Sequence, residues 1–159
     1  PLSFMHQYFK SSLLDGAEAI PEGHYEEENM KSTVVPFRNG IMLSIATGIA
    51  ESHELKRVYI ANHGGDHTIY PDCRPEFIHA MNGAAKAGTF VNVCIEAPYT
   101  EVTKAEIVAR GAVLGIDYSK TWSCYKGVDV HCGKCGTCVE RMEAFEDAGL
   151  EDPTTYSKD

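Results

Sequence analysis

Four cysteines within fifteen residues, Cys124, Cys132, Cys135 and Cys138, follow the spacing C-x7-C-x2-C-x2-C. The two-residue gaps let successive thiolates turn inward on one ion, with Gly133 and Gly136 expected to supply tight turns. Four sulfur ligands close a tetrahedron around zinc and leave no position for substrate, so the expected site is structural and its binding energy is also folding energy. An iron–sulfur cluster could use the same ligands, and two disulfides are the remaining reading of the spacing. His131 adjoins Cys132 and could replace a thiolate, although four cysteines already complete the shell. Four thiolates around a dication leave about two negative charges, which Lys126, Lys134 and Arg141 are placed to offset.

A second set of polar residues clusters in three short stretches. Arg38 and Asn39 put a planar cation beside an amide; Asp66, Tyr70, Asp72 and Arg74 crowd one loop; Lys104 follows Thr103 where a helix should begin. The first-turn amides and the Lys104 ammonium would make an anion site suited to phosphate or pyrophosphate. Plainer readings stand beside these. Arg38 could pair with an exposed acid, and Asp72 could be a turn former after Pro71. His63, Asp66 and His67 suggest a second metal less well than they suggest loop geometry around Gly64-Gly65. Cys73 could be a nucleophile, but no base is placed for it; Trp122 reads as packing.

The elements that must position these groups alternate. Residues 1–10 could form a short helix, 11–31 an exposed loop or lid carrying the acidic run Glu26-Glu27-Glu28, and 32–36 a short β-branched strand. After a turn at 37–40, Ile41, Ile45 and Ile49 recur at helical spacing to about His53 and are expected to be buried. A strand over 57–62 precedes the polar loop. A helix with Pro75 in its first turn and Gly88 at its stop comes next, then an apolar strand over 90–97. Thr103 and Glu106 have capping-box spacing for a third helix ending near Gly115. Residues 123–150 form the zinc segment and a closing helix bearing Val139, Met142 and Phe145, followed by a polar tail. This order predicts an α/β fold, a parallel sheet with flanking helices, with ligands at the carboxyl ends of its strands.

A chain of 159 residues with 43% hydrophobic and 23% charged residues suits one globular domain with a real core. The formal charge of −9 argues against nucleic acid bound over a broad surface. No apolar run is long enough for a membrane helix, so no membrane partner is expected. Cysteines grouped for metal fit a reducing, cytoplasmic compartment.

Four stretches together carry a resemblance: Val35-Pro36-Phe37-Arg38-Asn39-Gly40 with Leu43-Ser44-Ile45-Ala46; Tyr70-Pro71-Asp72-Cys73-Arg74-Pro75-Glu76-Phe77; Ala97-Pro98-Tyr99-Thr100 with Thr103-Lys104; and Ser123-Cys124 through Cys138. They resemble the 7-cyano-7-deazaguanine synthases of queuosine biosynthesis, over residues 11–156. The resemblance implies a Rossmann-like fold of the adenine-nucleotide alpha-hydrolase type with a structural zinc near the C-terminus, and a homodimer. The implied reaction converts 7-carboxy-7-deazaguanine and ammonia to the nitrile, using ATP with Mg2+ to adenylate the carboxylate and then the amide. Lys104 and Arg38 would then face the departing pyrophosphate. Asp72 or Asp66 would accept from the base's adjacent N–H donors, Tyr70 would help frame it, and Arg74 and Asn39 would complete the pocket. The family's Ser-Gly-Gly-x-Asp-Ser loop, which cradles ATP phosphates, has no counterpart here, since Gly64-Gly65 lacks the following serine. The expectation is therefore a chain that begins inside the family domain. Two other readings are a zinc-stabilised deazaguanine-binding module without ATP turnover of its own and a nucleic-acid-binding zinc domain.

Overall fold

The computed structural model describes residues 2–14, 19–24 and 28–157, so Gly16, Glu26 and Glu27 of the loop read as a lid lie outside the described residues. It divides into two compact units, residues 37–102 and the two flanking stretches 1–36 and 103–159.

In the 37–102 unit, helix α2 (Arg38–Ser52) leads to strand β1 (Arg57–Tyr59), and α3 (Pro75–Ala87) leads to β2 (Cys94–Glu96). The strands pair in parallel with Arg57 opposite Cys94, Val58 opposite Ile95 and Tyr59 opposite Glu96. This is the expected α/β arrangement of a parallel sheet with flanking helices, with two strands among the described residues. Leu43, Ile78, Ala85 and Ile95 form the core, with Val58, Ile60, Phe77, Met81 and Ala97 packed around them. Pro75 sits in the first turn of α3 and Gly88 follows its last, as expected, because proline has no amide to lose there.

Three expectations are corrected. Helix α2 starts at Arg38, so residues 38–40 belong to it and not to a turn. Its buried face is Gly40, Leu43 and Ala50, whereas Ile45 and Ile49 are exposed. The helix carries apolar side chains on all sides, so spacing alone could not choose the inner one. The strand expected over 90–97 shrinks to three residues. Phe90 is 99% exposed, and the amides of Phe90 and Val91 donate to the Glu51 carboxylate at 2.8 and 3.3 Å instead of joining a ladder.

In the other unit, α1 (Phe4–Tyr8) matches the short N-terminal helix expected. No strand forms over 32–36. A 3-10 helix occupies Glu28–Thr33, with Ser32 Oγ donating to Asn29 O and Thr33 Oγ1 to Met30 O. Such back-bonding hydroxyls compete with a strand ladder, and Met30, wholly buried, anchors the turn. Ser11 and Ser12 are also buried, so this part of the presumed exposed loop is built into the unit.

Helix α4 (Lys104–Val113) opens with the expected capping box. Thr103 Oγ1 accepts from Glu106 N, and the Glu106 carboxylate accepts from Thr103 N. It packs on α5 (Gly136–Asp147) through Val108, Ala144 and Phe145, with the Tyr118 ring edge-on to Phe145 at 5.0 Å. Of the apolar residues on α5, Phe145 is buried and Met142 lies at the surface, and the buried face includes Arg141. No described helix is long and apolar enough to cross a membrane.

Candidate metal centre and substrate-site residues

The sulfurs of Cys124, Cys132, Cys135 and Cys138 lie within 4.8 Å of one another. None of these cysteines is in a disulfide. A zinc–sulfur distance of about 2.3 Å sets tetrahedral edges of about 3.8 Å, and Cys124 Sγ and Cys135 Sγ are 3.9 Å apart. Backbone amides point at the sulfurs. Those of Lys126, Gly127 and Cys132 donate to Cys124 Sγ at 3.0–3.3 Å, and those of Lys134 and Cys135 to Cys132 Sγ at 3.4 and 3.3 Å.

The same proximity sets the electrostatics. Burial raises the Cys135 thiol, but hydrogen bonds from the Thr137 hydroxyl and backbone amides outweigh it and hold the group at about 6. Burial and the neighbouring Cys135 push Cys138 strongly the other way. Four thiolates this close are stable together only around a cation, and the donor set fits a soft or borderline dication such as zinc.

Two of the cations expected to offset the thiolates carry acidic partners of their own, Lys126 Nζ with Glu22 at 2.6 Å and Arg141 with Asp152 at 3.2 Å. Gly133 does turn with φ of +72°, but Gly136 is the first residue of α5. Gly127 makes the other close approach: a Cβ there would stand 1.9 Å from Val130 O. Sequence reading missed it because the constraint comes from a carbonyl three residues on.

His131 is no ligand. Its ring is buried, accepts from Ser123 N at 3.1 Å, and lies against Trp122, tilted by 39° with centroids 4.2 Å apart. The Trp122 indole donates to Cys124 O at 2.8 Å, and the side chain, read as packing, is about half exposed. Glu22 bridges antiparallel to Cys135, and Gly23 N donates to Lys134 O at 3.1 Å.

In the 37–102 unit the loops following β1 and β2 are tied together. Asn62 Nδ2 donates to Cys73 O at 2.7 Å and to Thr100 Oγ1 at 3.2 Å, and Gly64 N donates to Val102 O. Asp72 is buried, and its Oδ2 accepts from the backbone N of Asn39 at 2.8 Å. Asn39 Nδ2 returns to Asp72 O and Cys73 Sγ, each at 3.2 Å. Asp66 caps its own turn, accepting from His63 N at 3.0 Å, while His63 Nδ1 accepts from Gly65 N. The His63–Asp66 pair thus serves loop geometry.

Arg74 Nε donates to His67 O, Tyr70 is buried, and Arg38 is exposed at the first turn of α2. The structure therefore brings Asn39, Asp72 and Cys73 together, with Asp66, Tyr70 and Arg74 on the adjoining turns. Burial, with the Asp66 and Asp72 carboxylates beside it, pushes the Cys73 thiol up to about 12, which removes the nucleophile reading. In the other unit, Lys104 forms an ion pair with Glu140 of α5.

Comparison with known proteins follows the same lines. The profile of the queuosine biosynthesis protein QueC family matches residues 1–149. A Porphyromonas gingivalis protein named 7-cyano-7-deazaguanine synthase is 65% identical over 156 residues, covering 98% of this chain and 71% of its own length. Proteins of the same name from Hahella chejuensis and Desulfotalea psychrophila are 56% and 53% identical, with 63% and 71% of their lengths covered. With its four-cysteine cluster and the Asn39–Asp72 contact inside the motif region, this chain belongs to the QueC family of queuosine biosynthesis proteins.

Proposed function

We propose that the chain acts in the ATP-dependent conversion of 7-carboxy-7-deazaguanine and ammonia to 7-cyano-7-deazaguanine. The family match over residues 1–149 carries this reading. In the reaction proposed, the substrate carboxylate attacks the α-phosphate of magnesium ATP and releases pyrophosphate. Ammonia then displaces AMP to leave an amide. The amide oxygen then attacks the α-phosphate of a second ATP, releasing pyrophosphate and one N–H proton, and loss of AMP with the remaining N–H proton leaves the nitrile.

The residue roles proposed are those the resemblance implies. Lys104 supplies a cation at the α4 N-terminus for a departing pyrophosphate, with Glu140 holding it in the absence of nucleotide. Arg38, exposed at the start of α2, is the second cation. Asp72 or Asp66 is the acceptor for the base's adjacent N–H groups, with Asp72 held by the backbone N of Asn39 and Asp66 by that of His63, and Tyr70 and Arg74 belong to the wall around the base.

The cysteine cluster holds a structural zinc and takes no part in the chemistry. The parallel β1–β2 pair with its helices is read as part of a Rossmann-like sheet of the adenine-nucleotide alpha-hydrolase type, and the working assembly as a homodimer, as the resemblance implies.

The test is turnover. The chain, alone and joined to the remaining segment of the Porphyromonas gingivalis relative, is given 7-carboxy-7-deazaguanine, ammonia and magnesium ATP, and AMP and nitrile are followed by mass. Nitrile from either form supports the reading. Retained base binding with no AMP from either form would replace it with a zinc-stabilised binding module.

A further inference from the structure

The family match ends at residue 149, yet the chain beyond it is built into the metal knuckle. Tyr156 forms a parallel bridge with His131, and Ser157 N donates to His131 O at 2.8 Å. The Tyr156 ring meets the buried His131 ring edge-on at 5.8 Å and packs against the cysteine cluster. It also lies over Gly133, where an added Cβ would come within 3.5 Å of it. Its hydroxyl donates to Asp152 Oδ2 at 2.5 Å, and Asp152 Oδ1 accepts from Arg141 Nε at 3.2 Å. Arg141 extends one Nη to Thr121 and Ser123 and the other to Tyr118 O.

These contacts link two pieces of chain that carry different ligands. His131 immediately precedes Cys132, and Arg141 lies one turn beyond Cys138 on α5. A four-thiolate site loses its ion when one ligand-bearing segment swings away and a competing ligand enters. A strap fastened to both segments opposes that first opening, as outer-shell contacts do at other metal sites.

We propose that residues 150–157 are a retaining strap for the metal centre, with Tyr156 and Asp152 as positioning residues that slow metal loss without touching the ion. This inference rests on the reading that the four cysteines hold zinc.

The experiment uses the full chain loaded with zinc and, separately, with cobalt(II). Zinc bound per chain is measured first, and transfer to excess EDTA is then timed. Tyr156→Ala and Asp152→Ala are expected to release zinc about 10-fold faster or more, and Tyr156→Phe, which keeps the ring and the bridge, by a smaller factor. The cobalt–thiolate absorption of each loaded variant should match that of the parent, since no ligand is changed. Val108→Ala, in the α4–α5 core, is the control for general loosening and should leave release within about twofold of the parent.

Unchanged release in both alanine variants, or equal acceleration by Val108→Ala, would overturn the strap. A parent chain that binds no zinc would overturn the metal reading itself, and that outcome is visible before any variant is made.

Discussion

The Asp72 carboxylate accepts from the backbone amide of Asn39 at 2.8 Å and so caps α2 from 33 residues away. The residue before the helix, Phe37, is left-handed at φ 54° and offers no side-chain cap. The carboxylate therefore satisfies one of the first-turn donors and places negative charge at the positive end of the helix. Asp72→Ala should cost about 1–2 kcal/mol in urea unfolding. Asn39→Ala keeps the amide and should cost less, about 1 kcal/mol, from the lost side-chain bonds to Asp72 O and Cys73 Sγ.

Lys104 and Glu140 separate a structural from a catalytic role for the ion pair. Lys104→Met should lower turnover about 100-fold or more if the ammonium faces developing pyrophosphate charge. Glu140→Gln removes only its resting partner and should leave turnover within about threefold, because a partly exposed pair contributes little by itself. Equal losses in both variants would mean that the pair acts structurally.

Metal removal tests the cysteine cluster. Chelation, or Cys135→Ser, should lower the melting temperature by about 10 °C or more, since the binding energy of a closed thiolate site is folding energy. Calorimetry with and without stoichiometric zinc reads this directly. A melting temperature indifferent to zinc would leave the four cysteines as mere packing.

Cys73 should be nearly inert. With its thiol pushed up to about 12, against an ordinary value near 9, it holds about a thousandfold less thiolate at pH 8 than an exposed cysteine. Iodoacetamide with peptide mapping should therefore label Cys73 last among the cysteines outside the metal cluster. A group raised in the folded state contributes stability below its unfolded value, and that contribution is lost as pH rises from about 9 toward 12. Cys73→Ala should flatten that alkaline loss.

What could be read from the sequence alone were features whose physics is local. The cysteine spacing put four thiolates on one centre because two-residue gaps leave few other options, and Thr103 with Glu106 specified a helix start because both partners of a capping box lie within one turn. Pro75 and Gly88 bounded α3 for the same reason, and the motifs around Asp72 and Cys124 pointed to the family that comparison then showed.

Tertiary structure decided what depends on residues distant in sequence. Ile45 and Ile49 lie outside because β1 and α3 cover the Leu43 side of a helix that is apolar all round. Asp72 is a helix cap as well as a candidate base acceptor because the β1 loop returns it to Asn39. Residues 150–157, which read as a polar tail, become part of the metal knuckle because Arg141 and His131 present partners that only the folded chain aligns. Spacing specifies a site when its ligands are neighbours along the chain; packing specifies it when loop closure must bring them together.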